Sequence, residues 1–380
     1  MKNALILTDR PVRNYGIDLL RIVSMIMIPV LHVLGRGGIL SNSNALSVHN
    51  EVAYLFEIAS YCAVNSYALI SGYVGYEKKQ KYSNILYLCF QVSFYIIVTT
   101  VVFCFFKPEV VNLKTAVLEA LFPFAYNTYW YFSAYFCLFF FMPFLNMVLD
   151  KFDRKNIKRL LLLLFFVFSL LPTLFHTDFG CTESGYSFLW LGILYLAGAY
   201  IKKYNFSVLH TNRANLIGYF ICVIVTWLSK VFIEVVTKIL FGQPKGGTYL
   251  LEYTSPTIVL CSVFLLLFFA NIKCGKRLTK VIKFFAPVSF GVYLFHEEPL
   301  IRDNFIINNF IGYLSLNPFI MVLAVLGTAI FIWLIGSLVD RIRLSIFNFL
   351  KVKELCSFLE QKISCLIYIL KKKLSFLHNL

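Results

Sequence analysis

Residues 21–32 read RIVSMIMIPVLH, in which Arg21 and His32 bracket ten mostly apolar residues, Pro29 among them. Either end group is costly in hydrocarbon unless it has a partner, so the meaning of the stretch depends on its solvent. Composition settles that. Hydrophobic residues make up 59% of the 380-residue chain and charged residues 14%, against roughly a quarter charged in an ordinary soluble domain. Apolar runs long enough to cross a bilayer recur along the whole chain. This is the composition of a polytopic integral membrane protein. The first sixteen residues are polar and basic (Lys2, Arg10, Arg13), and the first apolar run ends in Arg36 and a glycine-rich turn. No small-residue cleavage site follows it, so the run reads as a retained span, not a signal peptide.

Spans are expected at approximately 17–35, 52–76, 83–106, 129–149, 160–175, 187–201, 215–237, 256–272, 284–300 and 316–338. Ten spans put both ends in one compartment, and the positive-inside rule chooses which. Of 35 lysines and arginines, 27 fall before span 1, after residue 340, or in the connections around Lys78, Lys151–Arg159, Lys202–Arg213 and Lys273–Lys283. The other face has six (Arg36, Lys107, Lys114, Lys238, Lys245 and Arg302), and Arg21 and Lys230 lie within spans. Both termini are therefore expected in the cytoplasm. The net charge of +16 follows from topology and attraction to anionic lipid, and nucleic acid need not be invoked. The expected fold is an all-α integral membrane bundle of about ten helices over residues 13–340, with a basic amphipathic tail over 341–380.

Of the ten cysteines, most lie inside spans (Cys62, Cys89, Cys104, Cys137, Cys222, Cys261) or on the cytoplasmic side (Cys274, Cys356, Cys365), and Cys181 sits in an outer loop. That usage has neither a disulfide framework nor a paired metal spacing, and no metal site is expected. Residues 113–125, LKTAVLEALFPFA, read as a short amphipathic helix on the outer side. The tail's apolar run CLIYIL is too short to cross, so one or two helices lying in the plane of the cytoplasmic leaflet are expected. The loops are short, so any chemistry must use the bundle itself.

Eleven helical residues turn through about 1100° and rise about 16 Å. Arg21 and His32 therefore share one face of span 1, half a membrane apart, with Arg21 near the cytoplasmic entrance. Pro29 cannot donate to the carbonyl of Met25 and is expected to kink the helix. Asp18, three residues before Arg21, can pair with it. Intramembrane ionisable residues mark sites by default, though an ion pair at the membrane edge and a single interhelical histidine bond would also account for the three. Glu57 and Asn65, eight apart in one expected span, come nearly onto one face and could line an acceptor path. Lys230 and Glu234 are spaced to neutralise each other. His296 and Glu297 stand at the outer end of span 9, where a histidine beside a carboxylate can orient or deprotonate a hydroxyl; an interfacial loop with Arg302 and Asp303 is the other reading. Tyr129, Trp130 and Tyr131 read as an interfacial aromatic belt or as a surface for sugars. His49, His176, His210 and His378 fall in loops or the tail.

An arginine, ten residues and a histidine in the first span, preceded by NYGIDLL at 14–20, resemble the signature of the acyltransferase 3 family of bacterial membrane proteins. NSYALISGYVGY at 65–76 resembles that family's serine-glycine-aromatic end of span 2. WYFSAYFCLFFFMPFLN at 130–146 is similar to its tryptophan-tyrosine span ending in a proline, and SFGVYLFHEEP at 289–299 to its late span with a histidine near a proline. The order and spacing of the four cover residues 13 to about 340. The resemblance implies a multi-pass protein of the bacterial cytoplasmic membrane. Such a protein takes an acetyl group from cytoplasmic acetyl-CoA and transfers it to a hydroxyl of a cell-surface or secreted polysaccharide, with capsule or exopolysaccharide preferred. On this reading His32 is the catalytic base or acyl carrier, with His296 and Glu297 beside the acceptor. Arg21 meets or positions CoA, Asp18 orients Arg21, and Glu57, Asn65 and Trp130 line the acceptor path. The implied partners are an extracytoplasmic or lipid-linked glycan, membrane lipids and polysaccharide-assembly proteins. One departure concerns the loop after span 2, EKKQKYSN at 77–84, which lacks the pair of arginines the family often has there. Lys78, Lys79 and Lys81 can supply charge to CoA phosphates but no bidentate fork, and they serve equally as topology signals. Nor does the chain have the C-terminal esterase-like domain of some members. The competing class is a transporter or flippase of a glycan or lipid-linked sugar, which would show paired broken helices in an inverted repeat.

Overall fold

The computed structural model describes residues 13–378 apart from 77, 179, 181 and 208–210, with side chains through residue 366. Cys181, His210 and the side chain of His378 lie outside the described residues. In chain order the α-helices are α1 Tyr15–Leu34, α2 Ile39–Asn42, α3 Val48–Tyr61, α4 Ala63–Gly75, α5 Tyr82–Phe106, α6 Leu113–Leu121, α7 Trp130–Lys151, α8 Arg154–Phe165 and α9 Leu171–Phe175. They continue as α10 Phe188–Tyr204, α11 Asn212–Phe241, α12 Pro256–Ala270, α13 Lys276–Phe285, α14 Ser289–His296, α15 Pro299–Phe305, α16 Pro318–Phe349 and α17 Val352–His378. No strand occurs among the described residues, so the all-α membrane architecture holds.

The bundle is built around α1, of whose 20 residues 13 are buried. Asn14 starts the helix: its side-chain oxygen accepts from the backbone N–H groups of Gly16 and Ile17, while its amide donates to the Ala270 carbonyl at 2.8 Å. One cap thus sets the helix start and ties α1 to the end of α12. At the other end, Val30, Val33 and Leu34 cluster with Met321, Val325 and Ala329 in the first half of α16. The two helices therefore run antiparallel, with the start of α1 and the end of α16 at the same end of the bundle. In hydrocarbon, association comes from close van der Waals packing and not from the hydrophobic effect. The α4/α10 contact shows this: a Cβ on Gly72 would fall 1.9 Å from the Tyr195 carbonyl oxygen, and one on Gly198 2.0 Å from that of Leu69. Only glycine permits this approach.

Several expectations need correction. Among the described residues, seven helical segments are long and apolar enough to cross a membrane by themselves. The expected span 52–76 is two helices, broken at Cys62, and α10 and α12 have only 17 and 15 residues. Buried among neighbours, these shorter pieces need not be long enough to cross alone. The basic stretch expected as a loop at 273–283 is mostly α13, which runs through a short 3₁₀ turn into α14. α8 and α9 are joined by a π-helical turn over 166–170.

The boundary at 340/341 falls inside α16. That helix extends to Phe349 because Asp340 and Arg343 form a fully buried pair within it, Nη2 to Oδ2 at 2.7 Å. Tyr95 and Gln91 on α5 donate to Asp340, and Arg343 donates to the Tyr87 hydroxyl at 2.8 Å. Satisfied on every side in this way, the pair is a tie between α16 and α5. The tail is one helix, α17, whose first turns pack on α5 through Val352 and Cys356 against Leu86 and Tyr87. It is thus docked on protein as well as available to lipid.

Candidate active site

The sequence HEEP at 296–299 stops one helix and starts another. His296 ends α14, Glu297 is its C-cap, and Glu298 caps α15 by accepting from the Ile301 N–H, with Pro299 in the first turn. The break lets consecutive side chains point back at α1. His296 Nδ1 lies 2.6 Å from the Val292 carbonyl one turn earlier, so it carries the proton and donates. Its Nε2 is then an acceptor, and it faces His32 Nδ1 at 2.9 Å. The same His32 nitrogen is 3.1 Å from Glu297 Oε1, and Glu297 Oε2 pairs with Arg36 Nη2 at 2.9 Å. His32 Nδ1–H thus donates to His296 Nε2 with the Glu297 carboxylate close beside it, which leaves Nε2 as the ring's lone pair. His296 is fully buried and Glu297 nearly so, so these interactions act in a low dielectric.

His32 lines a small internal cavity of about 40 Å³ with Tyr67, Trp130, Tyr131, Tyr253 and Tyr293. A second cavity, of about 330 Å³, lies toward the start of α1 and is lined by Arg21, Ser71, Lys78, Lys79, Lys81 and Tyr135, among others. Three helices line both in succession: α1 with Arg21 and then Met25 and His32, α4 with Ser71 and then Tyr67, α7 with Tyr135 and then Tyr131. The two cavities therefore stack as one column along α1, with the cations at one end and His32 at the other. Asp18, 6% exposed, accepts from Arg21 Nη1 at 3.0 Å and from Arg13 at 2.5 Å. It pairs with Arg21 at the lip of the larger cavity. The Tyr67 hydroxyl donates to the Arg21 carbonyl at 2.8 Å, tying α4 to α1 between the cavities.

The donor atoms of His32, His296 and Glu297 lie within 4.8 Å of one another, a composition that a metal could use. Two nitrogens bound to one zinc at tetrahedral geometry sit about 3.3 Å apart. The 2.9 Å between the rings is a hydrogen bond's separation, and Arg36 already neutralises the carboxylate. In this arrangement His32, His296, Glu297 and Arg36 form one contiguous set of hydrogen-bonded and ion-paired groups.

Trp130 lines the His32 cavity. Asn65 does not line it: its amide donates to the Tyr253 carbonyl at 2.7 Å and its oxygen accepts from Trp190 Nε1 at 3.1 Å, a strut with both ends taken. Glu57 is on a different helix from Asn65 because of the break at Cys62, so their eight-residue spacing puts nothing on one face. Its carboxylate is buried beside Gly35, one turn from His32. Lys230 pairs with Glu234 at 2.9 Å and with Glu51 at 2.6 Å, and is structural. His49 is in the first turn of α3 and bonds the Leu316 carbonyl at 2.8 Å, while His176 stacks on Tyr249. Tyr129 is no interfacial belt residue. Fully buried, it donates to the Leu294 carbonyl at 3.1 Å. Arg36 as a partner of Glu297, and Tyr67, Tyr253 and Tyr293 as cavity residues, carry no signal in the sequence.

No curated protein and no solved structure matches the chain. A family model described as "Acyltransferase domain" matches residues 14–338, a range that contains Arg21, His32, His296 and Glu297 and most of the helices that hold them. With the aligned arginine and histidine of α1 now seen at the two ends of one column, the chain belongs to the acyltransferase 3 family of membrane acyltransferases.

Proposed function

We propose that the protein is an O-acetyltransferase of the bacterial cytoplasmic membrane that moves an acetyl group from cytoplasmic acetyl-CoA to a hydroxyl of a cell-surface or secreted polysaccharide. The observation that carries this reading is the stacked pair of cavities, with four cationic side chains at one end and a carboxylate-supported histidine at the other. Arg21, Lys78, Lys79 and Lys81 are suited to the phosphates of CoA, and the column between the tyrosines to the pantetheine arm. The charge asymmetry of the loops supports a cytoplasmic position for the cationic end.

His32 Nε2 takes the proton of the acceptor hydroxyl as its oxygen attacks the thioester carbonyl. Glu297, 3.1 Å from Nδ1, stabilises the imidazolium that forms by its charge, and His296, bonded at Nδ1, fixes the ring's orientation. The C–S bond then breaks, the acetyl ester remains on the sugar, and the proton passes from His32 to the CoA thiolate. Atoms and charge balance without an added cofactor. A transporter would need an alternating pathway, but it would have no use for this relay.

The test is His32→Ala. The variant is expected to insert at normal levels and to remove the acetyl signals from NMR spectra of the isolated glycan. Unchanged signals would overturn the assignment. Arg21→Ala should weaken acetyl-CoA binding in purified protein more than acceptor binding.

A further inference from the structure

Three of the four cations of the larger cavity, Lys78, Lys79 and Lys81, stand on residues 78–81, a segment without regular structure between α4 and α5. Such a segment presents a fixed set of charges only where its ends are held. At the first end the Lys78 N–H donates to the Gly75 carbonyl, the last residue of α4, at 3.1 Å. In the middle the Gln80 amide donates to the Phe139 carbonyl on α7. The second end runs into the first turn of α5, whose backbone N–H groups have no acceptor within their own helix. Lys81, the residue before that turn, has an ammonium group and so cannot cap it.

The cap comes from the tail, 278 residues from Tyr82. Glu360 accepts from the Tyr82 N–H at 2.7 Å, and the hydroxyl and N–H of Ser83 bond the same carboxylate. Tyr82 and Ser83 open α5, so the negative charge stands at the positive end of that helix's dipole. Val352, Cys356 and Glu360 recur every four residues and share one face of α17. That face lies along α5, with Val352 and Cys356 against Leu86 and Tyr87 and Glu360 at its first turn. Phe358, about 200° round the helix from Glu360, is 52% exposed. All of α17 lies beyond residues 14–338, the range that the family model matches.

Resting on the acetyltransferase reading above, we propose that Glu360 is a positioning residue for the acyl donor: by capping α5 from the docked tail, it fixes Lys78, Lys79 and Lys81 around the phosphates of CoA. Without the cap the first turn of α5 frays, and the three ammonium groups have to be ordered each time phosphate arrives. That cost falls on donor affinity. The chemistry at His32, at the other end of the column, is left as it was. Coupling between two sites is reciprocal, so CoA held among the lysines also tightens the tail on α5.

The experiment compares the purified full chain with Glu360→Ala and with Phe358→Ala, a change on the opposite face of the same helix. Calorimetric titration with CoA should give a Kd about fivefold higher for Glu360→Ala, the factor that corresponds to the loss of one helix cap, and the wild-type Kd for Phe358→Ala. In acetyl transfer the KM of Glu360→Ala for acetyl-CoA should rise by the same factor with kcat unchanged. Hydrogen exchange adds a readout that a merely structural tail would not move. CoA is expected to slow exchange at residues 352–366 of the wild type and to lose that effect in Glu360→Ala, while wild-type exchange in α10 reports that the variant is folded. Equal CoA affinity in wild type and Glu360→Ala, or a wild-type tail whose exchange is the same with and without bound CoA, overturns the proposal and leaves the His32 chemistry standing. A wild-type chain that binds no CoA overturns the acetyltransferase reading and this proposal with it.

Discussion

At the scale of single residues, the relay makes one side chain the subject of a sharp expectation. Glu297 places one oxygen 3.1 Å from His32 Nδ1 as a charge partner and is paired with Arg36 at the other. Glu297→Gln keeps the size and loses the charge that stabilises an imidazolium, so acetyl-CoA-dependent transfer should fall about 100-fold or more, with acetyl-CoA binding little changed. Single-turnover kinetics on purified protein would check it, and a variant as fast as wild type would refute the role. Arg21 and His32 could be paired from the sequence because helical periodicity is local: eleven positions return nearly to the same face. The union of His32 with His296 was not legible, since 264 residues separate them and no periodicity connects α1 to α14. Asp340 and Arg343 were hidden for a related reason. In a sequence they look like the start of a basic tail, and only α5 packed against α16 supplies the tyrosines and glutamine that make their burial tolerable.

At the scale of elements, the tail helix is more than a membrane anchor. Glu360 on α17 accepts from the Tyr82 N–H at 2.7 Å, at the first residue of α5 and immediately after the lysines that line the larger cavity. The Ser83 hydroxyl, together with the backbone N–H groups of Tyr82 and Ser83, holds the Glu360 carboxyl below its ordinary value. The folded pKa is depressed, so this contribution to docking is present above the usual carboxylate pKa of about 4.3. It is lost as pH falls through the folded value. Hydrogen exchange of residues 352–366 should therefore quicken on acidification from about pH 7 to below about pH 4, and Glu360→Gln should abolish most of that pH dependence. A tail equally protected at both pH values would refute the latch. The helix break at Cys62 and the burial of Tyr129 also belong to this scale. Both were misread because a long apolar run fits one continuous helix, and an aromatic at its edge fits a belt, until neighbouring helices decide otherwise.

At the scale of the whole molecule, the asymmetry of lysine and arginine makes a prediction about orientation. In a cysteine-free background, Asn44→Cys in the α2/α3 connection should react in intact cells with a membrane-impermeant thiol reagent, and Lys155→Cys in α8 only after lysis. The reverse pattern would invert the membrane and with it the direction of acetyl transfer. What the sequence by itself determined was the solvent, the all-helical class and the face shared by Arg21 and His32, because hydropathy and helical phase are summed over neighbouring residues. The tertiary structure alone decided that His296, Glu297 and Arg36 converge on His32, that two cavities follow one another along α1, and that His296 also lines a lipid-facing groove. Those facts depend on which helices touch, and contacts in a bilayer are set by close packing between segments far apart in the chain, such as Gly72 against Tyr195.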